Sequence, residues 1–284
     1  MEFTLCNEVL KELPLSEQCR FAAEMGYSGL EIAPFTLADD PTRMTPQEIA
    51  NVRRIVEDHG LRVTGLHWLL VAPEGLSITD PAPDMRQRTG NVLAALVDLC
   101  ADLGGRVLVH GSPKQRRLGA DPARGRATAL AHLATAGARA RAAGLTYCIE
   151  PLSADESDFL NLVSEAVAVV QEADEPGLRT MIDTGHALRG EAEGLAQLAA
   201  RWLPTGMIAH FQFNDSNRRG PGQGQDAFGP LLDQLQAAKW AHPLAIEPFV
   251  YSPDGPTTAA QSIGHLQGIL DGLRARPSVR PDEN

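Results

Sequence analysis

Very little in this chain points to a disulfide scaffold, a thiolate metal site, a membrane or a nucleic acid. Only four cysteines occur among 284 residues. Cys6, Cys19, Cys100 and Cys148 lie far apart and form no Cys-x-x-Cys pair. That spacing argues against a disulfide framework or a cysteine-held zinc ion and fits a reducing cytoplasm. Positive charge is also scarce: 25 Lys and Arg stand against 36 Asp and Glu, a formal charge of −11. Nucleic acid favours a basic face, so it is not an expected partner. No apolar run approaches the roughly 18 residues that a membrane-spanning helix needs. Met1-Glu2-Phe3-Thr4-Leu5 has no basic stretch ahead of an apolar core, so no signal peptide is expected. No glycine-rich dinucleotide turn follows the first apolar run, which weighs against an open doubly wound sheet.

What is present is a regular alternation. Hydrophobic residues make up 43% of the chain, ample for a core. Short apolar runs read as strands at Phe3–Cys6, Gly29–Ile32, Arg62–His67, Arg106–His110, Leu145–Glu150, Thr180–Asp183, Met207–Phe213 and Leu244–Glu247. Helical stretches follow at Leu15–Met25, Pro46–His59, Asp84–Leu103, Ala123–Ala143, Leu162–Ala173, Gly194–Trp202, Ala227–Ala238 and Thr257–Arg274. Thr45-Pro46-Gln47-Glu48 offers an N-cap, a proline at the first helical position and a capping-box glutamate. Gly26, Gly60, Gly104 and Gly144 each sit just past a helical run, where a helix stop belongs. Eight strands alternating with eight helices point to an α/β fold, a (β/α)₈ TIM barrel in one domain over residues 1–276. Residues 277–284 read as a polar C-terminal tail.

Four of the strand ends carry chemistry. Cys148-Ile149-Glu150-Pro151 and Ala245-Ile246-Glu247-Pro248 are apolar runs that stop at a glutamate and a proline. Between them lie Ile182-Asp183-Thr184-Gly185-His186 and His210-Phe211-Gln212-Phe213-Asn214-Asp215. A carboxylate is costly inside an apolar strand, so one at its end is expected to face a cavity or a cation. In a barrel of this kind all four ends converge on one face. Strand alternation puts His210, Gln212 and Asn214 on one side and Phe211 and Phe213 on the other. Three carboxylates brought together repel unless a cation compensates them. One divalent ion on Glu150, Asp183, Gln212 and Glu247 resolves the conflict, and so many oxygen donors suit Mn²⁺, Mg²⁺ or Co²⁺. Taken singly, each residue has an ordinary reading. Asp183 could cap a turn, His186 could be a surface residue and His210 a core histidine. Their joint occurrence on successive strand ends is harder to explain structurally.

These segments, with Gly220-Pro221-Gly222-Gln223-Gly224, resemble the xylose-isomerase-like superfamily of sugar isomerases and epimerases. The likeness covers nearly the whole chain. It takes in ketose 3-epimerases, inosose-processing enzymes and hydroxypyruvate isomerases. The resemblance implies a metal-dependent isomerase or epimerase acting on a small ketose or sugar acid. Its metal ligands are Glu, Asp, His and Glu, matching Glu150, Asp183 and Glu247, with Gln212 where ketose epimerases have histidine. It further implies that Glu150 and Glu247 are the catalytic acid/base pair, transferring a proton through an enediolate that the metal stabilises. His186 and Arg218 match substrate-binding positions.

Other residues are read from position alone. His67 and Trp68 end the third strand, where Trp68 is either a sugar-stacking face or core. His110 and the basic stretch with Lys114 and Arg116 follow the fourth, as anion contacts or a solvated loop. His210 is grouped with the substrate-binding residues. Glu8 and Glu31 could bond hydroxyls, and residues 217–224 should loop over the pocket. A lyase or dehydratase of the same scaffold begins with the same proton abstraction and is the main alternative. An abasic-site endonuclease is disfavoured by the acidic charge and the few histidines. A non-catalytic sugar-binding protein is disfavoured by the two glutamates. The expected partner is a small sugar or sugar acid; a homo-oligomer is left open.

Overall fold

The computed structural model describes residues 1–275. Eight parallel strands close into a barrel in sequence order. They are β1 (Phe3–Cys6), β2 (Gly29–Ile32), β3 (Arg62–Leu66), β4 (Val107–His110), β5 (Thr146–Ile149), β6 (Leu178–Asp183), β7 (Ile208–Phe213) and β8 (Leu244–Ile246). β8 pairs back onto β1 with Phe3 opposite Leu244 and Leu5 opposite Ile246. The helices are α1 (Leu15–Met25), α2 (Pro46–Asp58), α3 (Pro83–Asp102), α4 (Pro122–Ala142), α5 (Val163–Ala173), α6 (Thr184–Gly190), α7 (Leu195–Trp202), α8 (Gly229–Ala237) and α9 (Gly255–Arg274). This is the (β/α)₈ architecture expected from the alternation. The expected domain end at 276 and the tail 277–284 lie outside the described residues.

Local chemistry explains the boundaries. Thr45 and Glu48 form the full capping box at the start of α2. Gly26 and Gly144 close α1 and α4 with φ of +90° and +73°, a region where a side chain would be strained. The strands β3, β5 and β8 end one residue before His67, Glu150 and Glu247. The backbone amides of those three residues still bond to Ile32, His110 and Phe213 of the neighbouring strand. Each side chain therefore leaves from the last rung of the ladder. α6 is an addition to the eight expected helices. Asp183 starts it by accepting from the His186 amide at 2.7 Å, so a strand-ending carboxylate also caps a helix.

Alternation sorts the strand residues into two layers. Leu5, Leu30, Ile32, Leu108, Ile149, Phe211, Phe213 and Ile246 belong to the large cluster between barrel and helices. Phe211 meets Trp240 edge-on at 5.0 Å, and Phe213 meets Phe228 at 5.8 Å. The inner layer has a small apolar plug of Val107, Val109, Cys148 and Met181. Above and beside it the interior is polar: Thr4, Glu31, His210, Gln212 and Asp183 are all buried.

Candidate metal and proton-transfer site

Glu150 and Glu247 meet at one cleft on the C-terminal face of the barrel. It is lined also by His67, Trp68, Glu156, His186 and Phe249, and its open space is about 280 Å³. Its walls close tightly around the two carboxylates. A wider groove between α3 and α4, lined by Arg86, His132 and Arg139, lies on the outside of the barrel and contains none of these residues.

Glu150 is placed by what surrounds it. A Cβ on Gly111, just past β4, would lie 1.7 Å from Glu150 Oε2. Only glycine leaves room for the carboxylate there. Arg116 is fully buried and donates to the carbonyls of Glu150, Phe159 and Leu160. It thereby ties the loop after β4 to the loop after β5. The anion contact considered for Arg116 is thus replaced by a structural one, because its guanidinium is turned inward. Burial and then the neighbouring Asp183 hold the Glu150 carboxyl well above the usual carboxylate range, against the pull of Arg116.

Asp183 accepts through both oxygens, from the His186 amide at 2.7 Å and from Asn214 Nδ2 at 2.6 Å. A Cβ on Gly185 would lie 1.8 Å from Asn214 Oδ1, so the glycine of Asp-Thr-Gly-His admits this approach. Burial lifts the Asp183 carboxyl to about 7. His186 Nε2 lies 3.7 Å from Glu150 Oε1. Its Nδ1 accepts from the Ser153 amide at 3.0 Å and faces Arg189 Nη2 at 2.9 Å. Burial and the two arginines Arg189 and Arg218 lower its pKa to about 3, so the ring is neutral. A neutral ring that accepts at Nδ1 carries its proton on Nε2. His186 therefore presents a donor to the cleft rather than a lone pair. Glu150, Asp183 and His186 lie close enough to share an ion, but this tautomer leaves the two carboxylates as its ligand atoms.

Glu247 has a different neighbourhood. His67 Nε2 lies 2.7 Å from Glu8 Oε2 and 3.8 Å from Glu247 Oε1. The ligand atoms of Cys6, Glu8, His67 and Glu247 are all within 4.8 Å of one another. Burial, then Glu150, Glu8, Asp183 and Glu31, push the Glu247 carboxyl well up. Burial alone would lower His67, but Glu8 and Glu31 outweigh it and hold its pKa above the ordinary value.

Gln212 is completely buried beside Asp183 on the adjacent strand. Its Nε2 donates to Glu31 Oε1 at 2.9 Å. Among the described residues its Oε1 has no partner, and neither has Glu247 Oε2. Five buried carboxylates, Glu8, Glu31, Glu150, Asp183 and Glu247, thus collect at one end of the barrel. Unmet oxygen atoms and mutual repulsion are what a divalent cation would relieve, so the residues fit a hard ion.

The remaining expected residues divide by location. Trp68 lines the cleft and meets Phe249 edge-on at 6.1 Å. Arg218 lies over the Phe249 ring, 5.0 Å from its centroid, and pairs with Glu156 at 2.8 Å. Its φ of +68° and that of +51° at Trp68 are strained for residues with side chains. His110 shares the parity of Leu108 and faces the helix layer, where Nδ1 lies 2.7 Å from the Tyr147 hydroxyl. Burial and Arg116 lower its pKa to about 3. Lys114 is exposed in the turn after β4 and does not line the cleft. His210 lies one inward position below Gln212, with Nε2 2.8 Å from Glu31 Oε2. Glu8 and Glu31 hold histidines and Gln212 rather than facing open space.

Three residues escaped the sequence. Glu156 lines the cleft and pairs with both Arg189 and Arg218. Phe249 forms the aromatic wall. Glu156 sits in an irregular loop with no periodicity. Arg189 lies on the unexpected α6. Phe249, two residues past Glu247, was the most legible of the three.

Residues 19–269 match the family model described as xylose isomerase-like TIM barrel. The chain belongs to that family. A putative hydroxypyruvate isomerase of Streptomyces coelicolor is 30% identical, over 90% of this chain and 91% of that protein. An L-ribulose 3-epimerase of Mesorhizobium japonicum is 27% identical, over 82% of this chain and 76% of its own length. A solved structure of an L-ribulose 3-epimerase superimposes with a TM-score of 0.81 at 20% identity, covering 99% of this chain and 100% of that one. The named relatives are isomerases and epimerases, and the chain is an enzyme of that isomerase type. No described helix is long and apolar enough to cross a membrane.

Proposed function

We propose that the chain is a divalent-metal-dependent isomerase or epimerase of a small ketose or sugar acid. The observation that carries this reading is the facing pair Glu150 and Glu247 across a small cleft, each pushed toward its protonated form by burial and by other carboxylates. Glu150, Asp183, Gln212 and Glu247 would hold Mn²⁺, Mg²⁺ or Co²⁺, and the ion would stabilise the negative oxygen that forms when a proton leaves the neighbouring carbon. One glutamate takes that proton from an α-hydroxy-carbonyl substrate. The other returns one, to the opposite face of the same carbon or to the adjacent carbon. His186 Nε2 donates to a substrate oxygen, and Arg218 orders the cleft wall through Glu156 and Phe249. Trp68 and Phe249 offer apolar faces to the carbon skeleton. His67, bonded to Glu8, lines the cleft beside Glu247, with Nε2 3.8 Å from its Oε1.

The names of the relatives support the reaction class, hydroxypyruvate isomerase and L-ribulose 3-epimerase. The test is deuterium uptake from D₂O, with Mn²⁺ and a panel of ketoses, inososes and 2-oxo acids. Exchange at the carbon beside the carbonyl is expected for at least one ketose or 2-oxo acid. No exchange with any member, from protein that binds Mn²⁺, would overturn the proposal. Water loss accompanying exchange would move the assignment to the dehydratase alternative.

A further inference from the structure

We infer that Glu31, in the barrel interior and outside the cleft, is the positioning residue that aims the amide oxygen of Gln212 at the ion site. The inference rests on the proposed metal site and adds a residue to it.

An amide side chain has two nearly identical ends, and only the oxygen is a ligand for a hard cation. Something must decide which end faces the site. Gln212 Nε2 donates to Glu31 Oε1 at 2.9 Å, a bond that crosses the barrel interior from β7 to β2. A carboxylate only accepts, so the reverse orientation would set oxygen against oxygen in a site shielded from water. The flip is therefore chemically determined, and Gln212 Oε1 is left without a partner among the described residues, on a fully buried side chain.

Glu31 is itself held from two more sides. Its Oε2 lies 2.8 Å from His210 Nε2, and its Oε1 lies 3.8 Å from His67 Nδ1. His210 precedes Gln212 on the same inward face of β7. One carboxylate thus engages two successive inward residues of that strand. It is fully buried, and it does not line the cleft. Contact with substrate is therefore not its role. His210 becomes the support of that support, which accounts for a polar residue one layer below the site.

A test needs the ion's affinity, not turnover. Apo protein is titrated with Mn²⁺ by calorimetry and with Co²⁺ by visible absorption. Four proteins are compared: the parent, Glu31→Gln, Gln212→Glu and the exchanged pair E31Q/Q212E. In Glu31→Gln a second amide faces the first and no longer dictates its flip. Supporting residues of this kind are typically worth about 10–100-fold in metal affinity, and a Kd weakened by that factor is expected. In the exchanged pair, the new amide at position 31 donates to the new carboxylate at position 212, whose other oxygen turns toward the ion. Its affinity is expected to return at least to that of the parent. Gln212→Glu alone sets two carboxylates against each other and should bind less tightly than the exchanged pair. A parent-like Kd in Glu31→Gln, or an exchanged pair no tighter than either single variant, overturns the inference. If Glu31→Gln does not fold, the Gln212→Glu and exchanged-pair comparison decides alone. A parent that takes up neither ion overturns the metal reading itself, which keeps the two failures apart.

Discussion

The two glutamates of the cleft end equivalent strands, yet they are embedded differently. On the Glu150 side the neighbours are mixed: Asp183 and Glu156 are acidic, Arg116 lies behind the backbone, and Arg189 and Arg218 pair with Glu156. On the Glu247 side the neighbours are Glu8, His67, Cys6 and, deeper, Glu31. Every charge named for Glu247 raises its pKa. For Glu150 one of them, Arg116, lowers it. Two side chains of one type on one barrel face thus sit in different electrostatic surroundings, with burial raising both. Different surroundings are how two carboxylates in one site come to take different proton-transfer roles.

The largest expected effect breaks this comparison directly. Glu150→Gln and Glu247→Gln should each lose about 10²–10⁴-fold or more in kcat. Metal content is measured alongside, since each is also a proposed ligand. The asymmetry predicts that one variant still exchanges the proton of one substrate epimer with D₂O while net conversion fails. Two fully loaded variants that turn over at the parent rate would remove both glutamates from the chemistry.

Gly111→Ala attacks one side only. The new Cβ would collide with Glu150 Oε2 at 1.7 Å, while Glu247 is left in place. Displacement of a reacting group by an ångström can cost on the order of 10²-fold. A loss of that size is expected in kcat, with the melting temperature nearly held. Full activity would mean that the Glu150 carboxylate can sit elsewhere.

A third test uses pH on metal-free protein. Asp183 has its pKa raised by burial from 3.8 to about 7, and Glu150 and Glu247 are raised as well. Between about pH 4 and 7 the folded state then binds more protons than the unfolded one. Stability therefore falls as pH rises through that window. The melting temperature of the apo protein should rise by a few degrees from pH 7.5 to 5.5, and Mn²⁺ should remove or reverse the trend. An apo protein that gains stability with pH over this range would contradict the crowding of carboxylates described here.

The smallest effect is expected at Arg218, which is partly exposed and touches only the cleft wall. Arg218→Ala should raise KM several-fold with little change in kcat. A fall in melting temperature with unchanged KM would make the residue structural.

The fold was legible because alternation and punctuation are local. Thr45-x-x-Glu48 caps its helix wherever that helix packs, and the closing glycines need only their own φ. The strand ends were legible because a glutamate before a proline stands out against an apolar run. His110 was not, because its role depends on parity: counted from Val107 and Val109, it points outward to Tyr147. Lys114 and Arg116 sit two residues apart in one turn, and nothing local says that one is exposed and the other buried under a carbonyl cage. Arg189 and Glu156 meet across 33 positions, and no pattern in either segment announces the pair.

The sequence by itself determined the order of strands and helices, the acidic strand ends and the inward parity of Gln212, since composition and period carry that information. Tertiary structure alone decided which oxygen or nitrogen each side chain presents. Gln212 keeps its oxygen unpaired among the described residues because Glu31, from across the barrel, takes its nitrogen, and His186 offers a proton because Ser153 and Arg189 occupy its other nitrogen. Hydrogen-bond direction depends on partners far away in the chain, and only the closed barrel brings them within reach.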